Sequence, residues 1–157
     1  EVTMIPSRLL TAVLLMLGLG LGNALAAGEA APGYYTPQKV VYHNDGAPPD
    51  NGAYFKRLLG NIRNHVEALG RDKVEIRVVD HGDGLVLFQM AKEDRDLAGR
   101  IEALKGMGVR FLICNNTLTE RKIDWHGLYG VKEEDIVPSG VAELARLQGL
   151  GFTYIHP

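Results

Sequence analysis

Apolar residues recur every three to four positions across residues 53–69, which is the spacing of one face of an α-helix. Gly70 follows this stretch where a C-terminal cap belongs, so the pattern predicts a helix that ends at Leu69. The apolar positions of this predicted helix are Phe55, Leu58, Leu59, Ile62, Val66 and Leu69.

Short apolar runs alternate with further helical segments along the rest of the chain. The predicted strands are 39–43, 73–81, 109–114, 136–137 and 152–157, and the other predicted helices are 85–90, 93–107, 117–123 and 140–148. Strands that alternate with helices, several of them apolar throughout, indicate a mainly parallel sheet with helices on both faces. The pattern predicts one α/β domain.

The first 26 residues have the layout of a secretory signal peptide. Arg8 precedes an uncharged apolar run at 9–22, and Ala24-Leu25-Ala26 forms a small-residue cleavage site. We therefore expect export to the periplasm, cleavage before Ala27 and a mature protein free of the membrane. An uncleaved anchor is the alternative, although a spanning helix needs about 20 residues. Residues 27–38 would be a flexible lead-in, and 39–157 the folded domain.

Charge and cysteine content narrow the possible functions. The 157 residues have a net charge of −2 and no basic block, which argues against nucleic acid as a partner. Cys114 is the single cysteine, so the chain cannot form an internal disulfide. In an oxidising compartment a lone thiol is buried, paired with another chain, or reactive.

Two predicted strands end in the same pattern, V-V-x-H-x-D-G, at residues 40–46 and 78–84. In a parallel sheet His43 and His81 would emerge at the carboxyl edge, where ligands of open α/β sheets bind. Gly82 and Gly84 beside His81 would let backbone and ligand approach closely. Alternatively, both histidines are ordinary edge residues beside Asp-Gly turns. The other histidines are predicted to be solvated: His65, His126 and His156.

The predicted third strand ends at Cys114, and the sequence from Thr117 to Glu120 fits a helix capping box. A helix that begins at or near Thr117 would place free N–H groups and a positive dipole end beside the sulfur. This setting lowers the pKa of a cysteine. Free cysteine is also among the most often buried residue types, so a reactive thiol and an inert core residue both remain possible.

Other common sites find little support in the sequence. No G-x-G-x-x-G follows a strand, no serine nucleophile elbow is present, and short metal-ligand spacings are absent. A site assembled in space from His43, His81 and Cys114 could still hold Cu(I) or Zn(II), because thiolate and imidazole are their preferred ligands.

The chain contains the segments KVVYHNDG, NIRNHVEALG, VEIRVVDHGDG, GVRFLICNNTL and VPSGVAELARLQGLGFTYIHP in this order. Together they closely resemble the DsrE/DsrF-like family, which includes the TusD-like sulfur-relay proteins. The resemblance runs from about residue 39 to residue 157. It implies a three-layer α/β/α sandwich around a five-stranded, mostly parallel sheet, assembled as a homotrimer or homohexamer.

The same resemblance implies a sulfur-relay site. Relay members carry sulfur as a persulfide on a cysteine just after the third strand, and CNNTLTERKI matches that pattern with Cys114 in the carrier position. By this match Asn115, Asn116 and Thr117 would supply amides or hydroxyls around the terminal sulfur. Gly82 and Gly84 would line the same site. Sulfur transfer of this kind needs no metal or organic cofactor.

We therefore expect an exported persulfide carrier that could also act as a sulfurtransferase. Cys114 would be the nucleophile, and His81 and His43 would orient a substrate or shuttle a proton. Its partners would be sulfur donor and acceptor thiols or proteins. This function requires an exposed Cys114 close to a helix N-terminus. The first alternative is a non-catalytic protein that binds a small anion, thioether or soft metal at His43, His81 and Cys114. The second is an assembly protein in which Cys114 is packed and unreachable.

Overall fold

The computed structural model describes residues 28–157, so the predicted signal peptide lies outside the described residues. Residues 28–37 contain turns and bends, and the first strand begins at Gln38. Among the described helices, none is both long enough and apolar enough to cross a membrane.

Strands and helices alternate along the described chain in the predicted order. The strands are β1 (Gln38–Asn44), β2 (Val74–Asp80), β3 (Arg110–Cys114), β4 (Ile136–Val137) and β5 (Thr153–Ile155). The α-helices are α1 (Asn51–Leu69), α2 (Val86–Met90), α3 (Arg95–Gly106), α4 (Asn115–Glu120) and α5 (Gly140–Gly149). Short 3₁₀ turns lie at Gly82–Leu85, Trp125–Gly127 and Glu133–Asp135.

Within residues 28–157 the strands form one five-stranded sheet in the order β4-β3-β2-β1-β5, and every neighbouring pair is parallel. The chain steps from β1 to β4 in one direction, and α5 then leads back across the sheet to β5. Because the strands are parallel, their carboxyl ends share one edge, which is where α/β proteins bind ligands.

Two hydrophobic clusters show that helices cover both faces of the sheet. The larger cluster packs α1, α2 and α3 against one face, and Phe55, Phe88 and Phe111 are fully buried within it. The smaller cluster lies under α5 on the other face and consists of Val41, Val79, Leu112, Leu144, Leu147 and Phe152. The fold is a three-layer α/β/α sandwich, which confirms the predicted architecture.

Capping groups explain where α1 and α5 begin and end. The Asp50 carboxylate accepts a hydrogen bond from the Ala53 N–H (2.9 Å) at the start of α1. Gly70 ends α1 with a φ of +86°, a conformation that favours glycine. The Ser139 hydroxyl accepts a hydrogen bond from the Ala142 N–H, so Ser139 caps α5.

Candidate active site at the carboxyl edge of the sheet

A row of four side chains crosses the carboxyl edge of the sheet on the face that α5 covers. From β3 to β5 the row consists of Cys114, His81, His43 and Tyr154, in the order of the strands. Side chains alternate between the two faces of a strand. His43, His81 and Cys114 each follow a residue of the small cluster by two positions, and Tyr154 pairs with Val41 of that cluster. The fold therefore places the predicted cysteine and both predicted histidines on one face.

Cys114 lies where the first turns of two helices meet. It is the N-cap residue of α4, and Gly140 at the start of α5 packs against it. A Cβ atom added to Gly140 would lie 3.2 Å from the Cys114 Cβ and 3.0 Å from the His81 Cβ. Glycine thus lets α5 begin directly over the thiol. Cys114 is only 5% exposed, so it is close to helix N-termini, as the carrier function requires, but buried rather than exposed.

The surroundings of Cys114 favour the thiolate. Burial raises the pKa of Cys114, but the Gly140 N–H, the Thr117 hydroxyl and the N–H groups of Thr117 and Asn116 lower it, and the pKa is lowered overall. In the described chain the neutral thiol makes no capping hydrogen bond to α4, in keeping with the weakness of a thiol as an acceptor. The surrounding donors act on the charged sulfur, which is the nucleophilic form of cysteine.

Helix α4 begins at Asn115, so the predicted capping box that starts at Thr117 is wrong. The Thr117 hydroxyl accepts a hydrogen bond from the Gly82 N–H (3.0 Å), because the turn after β2 runs alongside the first turn of α4. Thr117 is buried beside the sulfur, whereas Asn115 and Asn116 are exposed. Of these three predicted site residues, Thr117 acts through its side chain and Asn116 through its backbone N–H. A role for Asn115 stays a prediction.

The two predicted histidines contact each other. His43 Nε2 and His81 Nε2 lie 2.5 Å apart, and the ring centroids are 4.7 Å apart in a stacked arrangement. His43 Nδ1 lies 2.7 Å from the Tyr154 hydroxyl. A hydrogen bond between two imidazole nitrogens requires one donor and one acceptor, so at least one of the two rings is neutral.

Electrostatics favour the neutral form of both histidines. Burial lowers the pKa of His43, and His81 and His156 lower it further, while Asp45 opposes them. Burial also lowers the pKa of His81, with Arg121 and His156 acting in the same direction against Asp45. Neutral imidazoles can accept protons at neutral pH, which suits the predicted proton-shuttle role.

The two copies of the V-V-x-H-x-D-G pattern pack against each other, which gives a structural reason for their similarity. The Asn44 side-chain amide donates to Asp80 Oδ1 (2.7 Å) and to the Gly84 carbonyl oxygen (3.3 Å). A Cβ atom on Gly84 would lie 2.1 Å from the Asn44 carbonyl oxygen, and a Cβ on Gly46 would lie 2.6 Å from the Asp83 Cβ. Gly84 therefore has a packing role, and its contact with a substrate stays a prediction.

A buried carboxyl group lies beneath this pair of loops. Asp80 is 0% exposed, and its Oδ2 has no hydrogen-bond partner in the described part of the chain. Burial raises the pKa of Asp80 well above its ordinary value, although the hydrogen bond from Asn44 opposes the increase. Asp80 therefore favours the protonated, uncharged form more than an ordinary aspartate does.

A cation borders the row beside His81. Arg121 donates to the Asp83 carboxylate (2.6 Å), and one guanidinium nitrogen lies 3.8 Å from the Cβ position of Gly82. This arginine comes from the turn after α4. Its charge is paired with Asp83, and it lowers the pKa of His81.

Four members of the edge were not predicted from the sequence as site residues: Gly140, Tyr154, Asp45 and His156. His156 Nε2 lies 2.9 Å from Asp45 Oδ1, and the rings of His156 and His43 are 4.9 Å apart. His156 is exposed, as predicted, but it belongs to the site. Tyr154 and His156 are two residues apart in the C-terminal segment, so they share one face of an extended chain. If the pairing of β1 with β5 had been known, both could have been predicted to lie beside His43.

The other two histidines lie outside the row. His65 is partly buried rather than solvated: its Nδ1 lies 2.9 Å from the Tyr42 hydroxyl and its Nε2 lies 2.7 Å from Gln38 Oε1. This corrects the prediction, because one edge of α1 packs close enough to β1 for both ring nitrogens to be bonded. His126 is exposed, as predicted, and pairs with Asp124 at 2.7 Å.

Fold and site together define an α/β sandwich protein with a cysteine at the carboxyl end of a parallel strand. The model of the DsrE/DsrF-like family matches residues 38–157, and the chain belongs to this family. Among solved structures, the chain is similar to MTH1491, a protein of unknown function from Methanobacterium thermoautotrophicum. The two are 33% identical, with a TM-score of 0.64 over 76% of this chain and 99% of that one. No curated protein matches this chain. The family suggests a role related to sulfur relay.

Proposed function

We propose that this protein carries sulfane sulfur as a persulfide on Cys114. The observation that supports the proposal most strongly is the position of the sulfur, at the first turns of two helices and among four donor groups that lower its pKa. A thiolate is the form that attacks sulfane sulfur. The family adds an independent reason, since it suggests a sulfur-relay role for the same chain.

Loading begins when the Cys114 thiolate attacks the outer sulfur of a donor persulfide, R–S–SH. A bond forms between Cys114 Sγ and this outer sulfur, the donor S–S bond breaks, and R–S⁻ leaves with the electron pair. The outer sulfur keeps its proton or releases it to solvent. One S–S bond replaces another, so the step needs no external oxidant or reductant.

Discharge repeats the exchange in the other direction. An acceptor thiolate, R′–S⁻, attacks the outer sulfur of the Cys114 persulfide, and the new R′–S–SH takes that sulfur away. Cys114 leaves as a thiolate, which is stabilised by the same N–H groups and hydroxyl that lowered its pKa in the resting protein. A stabilised thiolate is the better leaving group, so these donors assist loading and discharge alike.

His81 and His43 would manage the proton of the incoming thiol. His81 lies next to Gly140, which itself touches Cys114, and the His43–Tyr154 contact extends the row to an exposed tyrosine. Burial lowers the pKa of both rings, so near neutral pH they are uncharged and free to accept the proton of an acceptor thiol, as weaker bases than an ordinary histidine. Asn115 and Asn116 are exposed, and their side-chain amides would bind the terminal sulfur. Gly82 adds no side chain of its own and donates its N–H to the Thr117 hydroxyl.

Cys114 is not the exposed thiol that the sequence led us to expect of a carrier, and its low exposure restricts which reagents can react. At 5% exposure the thiol can be approached by a single sulfur atom at the end of a donor more easily than by a bulky group. The start of α5, from Ser139 to Gly140, covers the thiol and must shift to admit a protein-sized partner. We therefore infer that small persulfides load Cys114 faster than bulky thiol reagents of similar intrinsic reactivity modify it.

Export to the periplasm and assembly as a homotrimer or homohexamer belong to the proposal. The signal-peptide pattern of residues 1–26 supports export, and the family resemblance implies the assembly. Cell fractionation of a C-terminally tagged full chain tests the first. Light scattering from the purified protein tests the second, and a monomer would remove the assembly from the proposal.

Loading is tested by intact-protein mass spectrometry after incubation with glutathione persulfide. We expect the wild-type chain to gain one sulfur atom, and Cys114→Ser to gain none. A thiol that takes up no sulfur, and that resists alkylation until the chain is unfolded in urea, would identify Cys114 as a core residue. The assembly alternative would then replace the carrier function. A ligand held without sulfur uptake would favour the binding alternative.

A further inference from the structure

A second group of side chains lies at the same edge of the sheet, on the side away from Cys114. His43, Asp45 and His156 each present a ligand atom, and these atoms all lie within 4.8 Å of one another. His43 and Asp45 come from the end of β1, and His156 comes from the tail just after β5. The parallel pairing of β1 with β5 brings these distant parts of the chain together.

Two imidazoles and one carboxylate form the ligand set of borderline divalent metals such as Zn(II), Co(II) and Ni(II). Bond lengths near 2.0–2.1 Å place neighbouring ligand atoms of a tetrahedral zinc ion about 3.3 Å apart. Asp45 Oδ1 and His156 Nε2 are already 2.9 Å apart. The side chains of Asp45 and His156 are 40% and 43% exposed, so small rotations can close the remaining distance around an ion.

The structure also supplies the groups that hold a metal-binding histidine in place. His43 Nδ1 meets the Tyr154 hydroxyl at 2.7 Å, and His43 Nε2 meets His81 at 2.5 Å. Whichever nitrogen turns to a metal, the other keeps a hydrogen-bond partner that fixes the orientation of the ring, as in most protein metal sites.

We propose that His43, Asp45 and His156 bind one divalent transition-metal ion of the zinc type, at a site that does not include Cys114. This site differs from the soft-metal site suggested by the sequence, in which His43, His81 and Cys114 would be the ligands. An ion here would engage His43 and replace one of its two contacts, with Tyr154 or with His81, while the thiol and its donors stay unchanged.

The test is isothermal titration calorimetry of the purified full chain, prepared without a polyhistidine tag, with zinc sulfate. We expect one ion per chain and a loss of affinity of at least about tenfold in His156→Ala and in Asp45→Asn. His126→Ala is the matched control, because it removes an exposed imidazole that also pairs with an aspartate, at 2.7 Å. This control should bind zinc like the wild type.

Cobalt absorption provides a second measurement on the same variants. Co(II) bound to the wild type and to Cys114→Ser should give the same spectrum, without the strong thiolate charge-transfer band. Zinc affinity that is equal in His156→Ala, His126→Ala and wild type would overturn the proposal. So would the absence of binding to the wild type, or binding that Cys114→Ser abolishes and His156→Ala leaves intact.

Discussion

Thr117→Val tests the claim that specific donors make Cys114 a thiolate. Valine has nearly the shape of threonine but lacks the hydroxyl, which lowers the pKa of Cys114 and accepts the hydrogen bond from the Gly82 N–H (3.0 Å). The substitution therefore removes one donor from the sulfur and leaves the backbone of Gly82 without its acceptor. Both consequences can be measured separately.

The size of the first effect follows from the strength of a hydrogen bond to a charged group, about 1.5–3 kcal/mol. Sulfur is a weak acceptor, so we use the lower end of this energy range. At pH values below the pKa of Cys114, this energy corresponds to about a tenfold smaller fraction of thiolate. A more basic thiolate is also about threefold more nucleophilic, given a Brønsted coefficient near 0.4–0.5. The rate of alkylation at low pH should therefore fall about threefold, and the plateau at high pH should rise about threefold.

The assay is the rate of iodoacetamide modification as a function of pH. In Thr117→Val the midpoint of the profile should move to higher pH, because a factor that lowers the pKa is gone. Thr117→Ser keeps a hydroxyl and should restore most of the wild-type profile. Thr119→Val, on the exposed side of the same helix, is the matched control.

An unchanged midpoint in Thr117→Val would refute the assignment of the hydroxyl to the thiolate. The second effect is the loss of an acceptor for a partly buried N–H, which should lower the free energy of unfolding by about 1 kcal/mol. Urea denaturation measures this loss. A stability loss without a shift of the midpoint would show that Thr117 only holds the loop of Gly82.

Two further predictions concern the floor of the site. Gly84→Ala should lower the free energy of unfolding by about 3 kcal/mol or more, because its Cβ would lie 2.1 Å from the Asn44 carbonyl oxygen. Gly99 lies in a helix, and no atom lies within 4 Å of an added Cβ. Gly99→Ala should therefore raise the free energy of unfolding by roughly 0.5–1 kcal/mol. Urea denaturation measures both variants, and equal changes in Gly84→Ala and Gly99→Ala would contradict the packing argument. Asp80 has a raised pKa in the folded state, so its contribution to stability is full below the pKa of the unfolded chain and is lost as pH rises through the folded pKa. Between the unfolded and the folded pKa of Asp80, the wild type loses stability as pH rises and Asp80→Asn does not. The stability of Asp80→Asn relative to the wild type should therefore increase by up to about 1.4 kcal/mol per pH unit. A stability difference that decreases as pH rises would contradict a protonated Asp80 in the folded state.

The sequence pattern predicts the fold well because this fold is built from local signals. The helix that ends at Leu69 has a polar cap at Asp50 and a glycine stop at Gly70, and the structure confirms it from Asn51 to Leu69. The strands are short apolar runs between turn formers, and a parallel sheet buries both of their faces. These elements need no knowledge of distant contacts.

The site could be predicted only in part, because half of it depends on which strands are neighbours. Cys114, His81 and His43 end strands that are adjacent in the sheet, so their place at one edge follows from the strand pattern. Tyr154 and His156 join them through the β1–β5 pairing, which the sequence does not reveal. The predicted capping box at Thr117 is wrong for a related reason, since the Thr117 hydroxyl accepts a tertiary hydrogen bond from the turn after β2.

The most direct test of persulfide transport is a single-turnover experiment that follows one labelled sulfur atom. Wild-type protein is loaded with glutathione persulfide that carries an isotopic label in its outer sulfur, freed of donor, and mixed with an acceptor thiol. We predict that mass spectrometry shows the label on Cys114 after loading and on the acceptor after mixing, with the free Cys114 thiol regenerated. Labelled sulfur that never reaches Cys114, or that stays there as a stable adduct while the acceptor gains none, would contradict the carrier function.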